Sequence, residues 1–240
     1  MDKIFENNLQ ELGITLNTRQ KEQFESYYQM LTQWNEVMNL TSITERSEVY
    51  LKHFTDSLAL CRLVKLERLE KPMRLIDIGT GAGFPGIPLK IVFPELEVVL
   101  LDSLNKRVKF LDAVIQELGL HGIKAVHGRA EEMAKQSEYR EQFDIGVSRA
   151  VSKLSVLGEY CIPYIRVGGM FISYKSDAID EELEDSKNAI SILGGEIGKV
   201  DKFHLNGTDI GRSLIEITKK RNTPKKYPRK AGTPAKEPLG

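Results

Sequence analysis

From residue 72 onward the sequence alternates short apolar runs with longer amphipathic ones, and few folds accept that rhythm. "RLIDI" (74–78), "EVVLLD" (97–102), "IKAVHG" (123–128), "FDIGVS" (143–148) and "GMFISYK" (169–175) are all of strand length. Helical stretches separate them. In residues 105–118 one face is marked by Val108, Leu111, Ile115 and Leu118. Strand, helix, strand repeated means right-handed crossovers and a parallel sheet covered on both faces. After residue 195 the rhythm changes: "EIGKVDKFHL" and "RSLIEIT" follow each other with no helix between. That order predicts an antiparallel hairpin closing one edge, for an α/β fold with a mostly parallel seven-stranded sheet.

The first 70 residues read differently. Phe24, Tyr27, Tyr28, Leu31, Trp34 and Met38 recur at helical spacing, and Val49, Phe54, Leu58 and Leu63 mark a second helical stretch over 47–64. With 240 residues, 41% of them hydrophobic, one large core can be buried. The expected division is a helical extension (1–70), a sheet domain (71–218) and a basic tail (219–240). Residues 218–240 carry eight Lys or Arg against the single acid Glu237, so a formal net charge of zero conceals 26 basic and 33 acidic groups in the body. Such an end suits a polyanion or remains solvated. No run is apolar for the ~18 residues a membrane span needs, and "MDKIFENNLQ" is not the start of a signal peptide. Cys61 and Cys161 form neither a ligand spacing nor a disulfide framework. The expectation is a cytoplasmic chain without a structural metal.

The chemistry is concentrated in "MRLIDIGTGAGFPGIPL". A glycine-rich turn after the first strand of an open sheet admits a ligand close to the backbone. Two frames compete. Gly81 to Gly86 fits the dinucleotide fingerprint G-x-G-x-x-G, but that frame leaves Gly79 and Asp77 unused and sets Phe84-Pro85 where a pyrophosphate would need amide donors. The frame D-x-G-x-G-x-G, Asp77 to Gly83, uses every residue. An acid there suits a ligand with a positive group, such as S-adenosylmethionine. Asp102, ending the next strand, can accept from both hydroxyls of a ribose.

Together, "WNEVMNLTSI", "HFTDSL", "IDIGTGAGFPGIPLKI", "LLDSLNKRVKFL", "GRAEE", "SRAV" and "YPRKAGTPAKEPL" resemble the class I S-adenosylmethionine-dependent methyltransferases, and more closely the RsmG (glucose-inhibited division protein B) family. The resemblance covers nearly the whole chain. It implies a Rossmann-like methyltransferase fold and methylation of guanine N7 in bacterial 16S ribosomal RNA. The implied partner is that RNA, the small ribosomal subunit or an assembly precursor. Carried over residue by residue, Gly79 and Phe84 would line the cofactor's methionine and ribose side. Asp77, Gly81 and Gly83 would shape the loop, Asp102 would hold the ribose, and Ala130 and Glu131 would border the adenine. Arg149 would sit beside cofactor and target base, as the expected catalytic residue.

The residue types agree with that chemistry. Exocyclic amine methylation commonly uses an Asn/Asp-Pro-Pro-aromatic motif after the fourth strand, where this chain reads Ser148-Arg149-Ala150. Cytosine C5 methylation needs a thiolate, and Cys161 in "EYCIPY" reads as a small buried hydrophobe. Guanine N7 carries an in-plane lone pair and no proton, so its alkylation requires no general base. Lys106, Arg129, Arg149 and Lys175 fall just beyond strands two to five, on one expected rim, where Lys106, Arg129 and Lys175 would meet an RNA backbone. His53 and Asp56, in "HFTDSL", share a helical face, with a packing role or as a cover over the cofactor as the two readings. The chain is expected to act as a monomer. The alternatives are a methyltransferase acting on another RNA or base position, a nicotinamide-dependent oxidoreductase, and a non-catalytic RNA-binding protein.

Overall fold

The computed structural model describes residues 3–149 and 152–240 of the chain. Helices come first, α1 (Lys3–Glu11) and α2 (Thr18–Met38). Asn17 starts α2 reciprocally: its side chain accepts from Gln20 N, and the Gln20 side chain accepts from Asn17 N, each at 2.9 Å. Two N–H groups that a first turn would leave open are thereby satisfied.

The stretch over 47–64, expected as one helix, is broken into pieces. α3 (Arg46–Val49) runs into a wider π turn over Tyr50–Thr55, followed by α4 (Asp56–Leu58) and a tight turn over Ala59–Arg62. π turns are rare and gather at functional sites. This one buries Tyr50 and Phe54 and, with the α4 turn after it, brings His53 and Asp56 to Arg149. α5 (Leu66–Leu69) then leads into the sheet.

The sheet domain alternates as its sequence does. β1 (Met73–Ile78), α6 (Gly86–Val92), β2 (Leu96–Asp102) and α7 (Asn105–Glu117) come first. β3 (Ile123–His127), α8 (Ala130–Met133), β4 (Phe143–Ser148) and α9 (Leu154–Cys161) follow. β5 (Ile165–Lys175), α10 (Asp180–Ile192), β6 (Gly195–His204) and β7 (Gly211–Lys219) complete it. The strand order is β3-β2-β1-β4-β5-β7-β6, with β7 antiparallel to both its neighbours and the remaining pairs parallel. The order reverses between β1 and β4, and a ligand crevice opens outside the strand ends at such a point.

Two cores flank the sheet because alternate side chains point to opposite faces. Leu75, Val98, Leu100, Ile145 and Val147 meet Phe24, Tyr27 and Phe54 of the helical extension. Ile76, Ile78, Val99, Leu101 and Phe171 meet Leu154, Leu157 and Ile190 on the other side. Truncating a fully buried phenylalanine costs roughly 3–5 kcal/mol, and Phe24 and Phe54 have no exposed surface. The extension is therefore part of the main core.

The basic end also folds against the body. Lys219 is buried, donating to Ile162 O and Thr223 Oγ1, and burial lowers its pKa to about 8. Tyr227 and Pro234 are buried, and a final short helix, α11 (Thr233–Lys236), lies near the C-terminus. Among the described residues no helix is long and apolar enough to cross a membrane, and no group of three His, Cys, Asp or Glu is arranged to hold a metal.

Candidate active site

The glycine turn follows β1 at the switch point. Gly79 and Gly81 have φ of +72° and +63°, a region that costs an ordinary residue roughly 1–2 kcal/mol, and a Cβ at either would meet nothing within 4 Å. Bare backbone thus faces open space, which fits a ligand seated directly on the main chain. A cavity of about 230 Å³ lies there, lined by Gly79, Ser103, Arg129, Ala130, Glu131 and Tyr160 among others.

Two carboxylates hold the turn in shape. Asp77 Oδ2 accepts from Thr80 Oγ1 at 2.7 Å and from Gly86 N at 2.8 Å, while its Oδ1 is buried without a partner. Asp77 has no accessible surface, and burial raises its pKa to about 7. Its expected role as a direct counter-charge to a cationic ligand is corrected accordingly. Asp77 is an internal clip, and near neutrality it is not a fixed negative charge. The same bond takes one amide from the dinucleotide frame, because Gly86 N is spent on Asp77. Asp102 ends β2, with Oδ2 accepting from Gly81 N at 2.9 Å and Oδ1 from Leu104 N at 2.8 Å. It also faces Arg107 Nη1 at 3.4 Å and ties the glycine turn to the loop that follows β2. No side chain caps the N-terminus of α7 beyond it.

The helical extension grips the turn from the other side, through a residue that the sequence marks only as part of an apolar helix face. Tyr27, fully buried on α2, donates to Ala82 O at 2.5 Å, and a Cβ on Gly83 would come within 2.7 Å of the same hydroxyl. Phe84 is only 5% exposed and does not line the cavity, contrary to expectation. Its ring stacks on His53 at 4.5 Å and packs against Tyr27 and Phe54, joining the aromatic core.

Arg149 follows β4 and is held on every side. It donates to Lys52 O at 3.1 Å and to Asp56 at 3.0 Å, it meets His53 Nδ1 at 3.1 Å, and its guanidinium lies 5.0 Å above the Phe84 ring. Arg212, from β7, reaches the other Asp56 oxygen at 3.2 Å. A guanidinium only donates, so His53 Nδ1 is the acceptor and Nε2 carries the proton to Thr41 Oγ1 at 2.9 Å. Burial, with Arg149 next, pushes the His53 pKa down to about 3, so the ring stays neutral. Arg149 borders a second cavity of about 440 Å³, with Lys52, His53, Asp56, Lys175 and Arg212. Ser148, one residue earlier, lines the first. Ala150 lies outside the described residues.

The cationic rim is narrower than expected. Lys175 donates to Glu182 and to Ser152 O, and its side chain is 8% exposed, so its charge is already neutralised. Arg129 is half exposed and reaches Glu131 at 3.3 Å, and Lys106 is exposed with one bond to Met38 O. Glu131 is buried beside Ala130, and Tyr164 Oη donates to Ala130 O at 2.7 Å. Neither thiol is set up as a nucleophile: burial raises Cys61 to about 12 and Cys161 well above its usual range.

Comparison with known proteins agrees with this geometry. Fibrillarin from Aeropyrum pernix, solved with S-adenosyl-L-methionine, superposes with a TM-score of 0.52 at 15% identity, over 67% of this chain and 72% of its own. The YcgJ protein of Bacillus subtilis superposes with a TM-score of 0.51 at 13% identity, over 71% and 100%. These likenesses establish the fold. Two proteins called ribosomal RNA small subunit methyltransferase G are far nearer in sequence. That of Lachnoclostridium phytofermentans is 52% identical over 98% of this chain and 96% of its own, and that of Alkaliphilus metalliredigens is 50% identical over 98% of both. Residues 20–214 match the family model described as GidB, rRNA small subunit methyltransferase G, and the chain belongs to that family.

Proposed function

We propose that this chain transfers a methyl group from S-adenosylmethionine to N7 of a guanine in bacterial 16S ribosomal RNA. The observation that carries the reading is the bare turn at Gly79 and Gly81, held between Asp77 and Asp102 at the switch point of a sheet in a member of this family. When bound, S-adenosylmethionine supplies an electrophilic methyl group on a sulfonium. In this reading Gly79 and Gly81 offer it their main chain, Asp102 accepts from its ribose, and Ala130 and Glu131 flank its adenine.

The second cavity, across Arg149, would receive the target base. Arg149 cannot serve as a base, and His53 is locked neutral with its only free lone pair turned to Arg149. A reaction that must remove a proton would find no acceptor in this pair. Guanine N7 needs none, so alignment of nitrogen, methyl and sulfur would carry the catalysis, and orientation can contribute up to ~7–11 kcal/mol. Arg149, fixed by four contacts, would orient the base as the catalytic residue. Lys106 and Arg129, the exposed members of the rim, would meet RNA phosphates. The chain is read as acting as a monomer, and the substrate implies a cytoplasmic setting.

The test is incubation with small ribosomal subunits and methyl-labelled S-adenosylmethionine, followed by nucleoside analysis of the RNA. The label is expected in 7-methylguanosine. Label in another nucleoside would refute the N7 assignment, and label confined to small molecules would refute the function.

A further inference from the structure

The family model ends at residue 214, yet the residues beyond β7 reach the back of the cofactor cavity. Two contacts carry the connection. Gly232 N donates to Glu131 Oε1 at 2.8 Å, and Glu131 is a buried side chain in the wall of that cavity. Arg229 clasps Glu159, which is 1% exposed: Nε lies at 3.0 and 3.1 Å from its two oxygens, Nη2 at 2.7 Å, and the Arg229 backbone N at 2.7 Å. Glu159 precedes Tyr160, which lines the cavity on the same turn of α9. Arg229 Nη2 also donates to Glu237 O at 2.7 Å, closing the segment into a loop. Upstream, Arg140 donates to Thr223 O at 2.8 Å and Tyr227 O at 3.0 Å.

We propose that the strap formed by residues 221–239 is a positioning element of the cofactor site: its docking through Arg229 and Gly232 sets Glu131 and the Tyr160 wall, and S-adenosylmethionine in turn stabilises the docked strap. The inference rests on the cofactor reading above. The physical argument is one of bond supply. Glu131 Oε1 has two donors, Gly232 N and the more distant Arg129 Nη2 at 3.3 Å, itself half exposed. With the strap undocked, a buried carboxylate would lose its nearer donor and would rotate toward Arg129 or water, changing the wall that a ligand meets. Glu159, deprived of Arg229, would be a buried charge without its partner beside Tyr160. Linkage then requires reciprocity: if docking favours the ligand, the ligand favours docking by the same factor. Lys225, Lys226, Lys230 and Lys236 are exposed on the strap, so its outward surface is cationic while its inward one is spent on Glu131 and Glu159.

The decisive measurement uses the unaltered chain. Amide hydrogen exchange over residues 227–237 is followed with and without saturating S-adenosylmethionine, with binding checked in parallel by calorimetry. Exchange is expected to slow at least threefold when the ligand is bound. Binding with unchanged exchange across the strap overturns the inference and leaves the proposed function standing. Failure of the unaltered chain to bind S-adenosylmethionine defeats the proposed function itself, and the inference with it. As a second arm, Arg229→Ala is expected to raise the KM for S-adenosylmethionine at least tenfold while kcat at saturation holds within about threefold, and Arg229→Lys is expected to restore part of the loss. A folded Arg229→Ala protein with unaltered KM also overturns the inference.

Discussion

Replacing Gly79 by valine separates what the glycine turn does for the fold from what it does for the ligand, because the chain contains its own control. Gly79 and Gly207 have φ of +72° and +75°, and a Cβ at either meets nothing within 4 Å. Gly79 lines the proposed cofactor cavity, whereas Gly207 lies in the connection between β6 and β7. Backbone strain is therefore matched, at roughly 1–2 kcal/mol for each valine. In a chain of this length a kilocalorie shifts the melting temperature by about 2–4 °C, so both variants are expected to melt about 2–8 °C lower. Only at Gly79 does the side chain project into the cavity. There, S-adenosylmethionine affinity is expected to fall at least ~100-fold, about 2.7 kcal/mol, while Gly207→Val binds as the parent does. The assay is titration calorimetry beside thermal unfolding by circular dichroism. Equal affinities for the two variants would refute the assignment of the turn.

Tyr27→Phe removes one hydroxyl and leaves Ala82 O buried without its donor; a stability loss of about 1–3 kcal/mol and a weaker cofactor affinity are expected, and an unchanged melt with unchanged binding would dismiss the clamp. His53 is held at about 3 in the fold and returns toward 6.5 when unfolded. The unfolded chain then binds more protons between those values, so the contribution of His53 is present above about 6.5 and is lost as pH falls toward 3. Urea unfolding at pH 7.5 and 5 is expected to show a smaller acid loss in His53→Gln than in the parent, and equal losses would refute the neutral-ring account. Lys106→Ala is expected to leave cofactor affinity unchanged and to lower the slope of log K for RNA against log salt by about 0.7–0.9; an unaltered slope removes Lys106 from the RNA contact.

The strands were legible because a buried parallel sheet writes continuous apolar runs, and six of the seven were read to within a residue or two. The exception is instructive. β5 begins at Ile165, four residues before the run "GMFISYK" suggested, because Gly168 reads as punctuation. Its register against β4 shifts between Phe143 and Ile145, so the strand passes through glycines that local propensity treats as breaks. The helical stretch over 47–64 shows the opposite error: its apolar spacing is right, but spacing cannot report a π turn. The turn itself was readable from Asp77 to Gly83, since glycine and acid types carry their chemistry locally. Tyr27, Thr41 and Arg212 were not, because their partners lie 55, 12 and 156 positions away and nothing in their own neighbourhoods marks them. Lys175 failed for a related reason: charge is visible in a sequence, but Glu182, which neutralises it, is visible only in the fold.

The hydroxyl of Tyr27 on Ala82 O has a further consequence for how the chain is put together. The residue that clamps the glycine turn is synthesised well before the turn exists, so the Tyr27 hydroxyl has no Ala82 carbonyl to hold until β1 and the turn have followed it. A shortened chain starting at β1 would keep every letter of the glycine motif and both carboxylate clips, yet lose the hydroxyl that holds Ala82 from the other side. Here the motif is half of a mechanism whose other half is written in the first thirty residues.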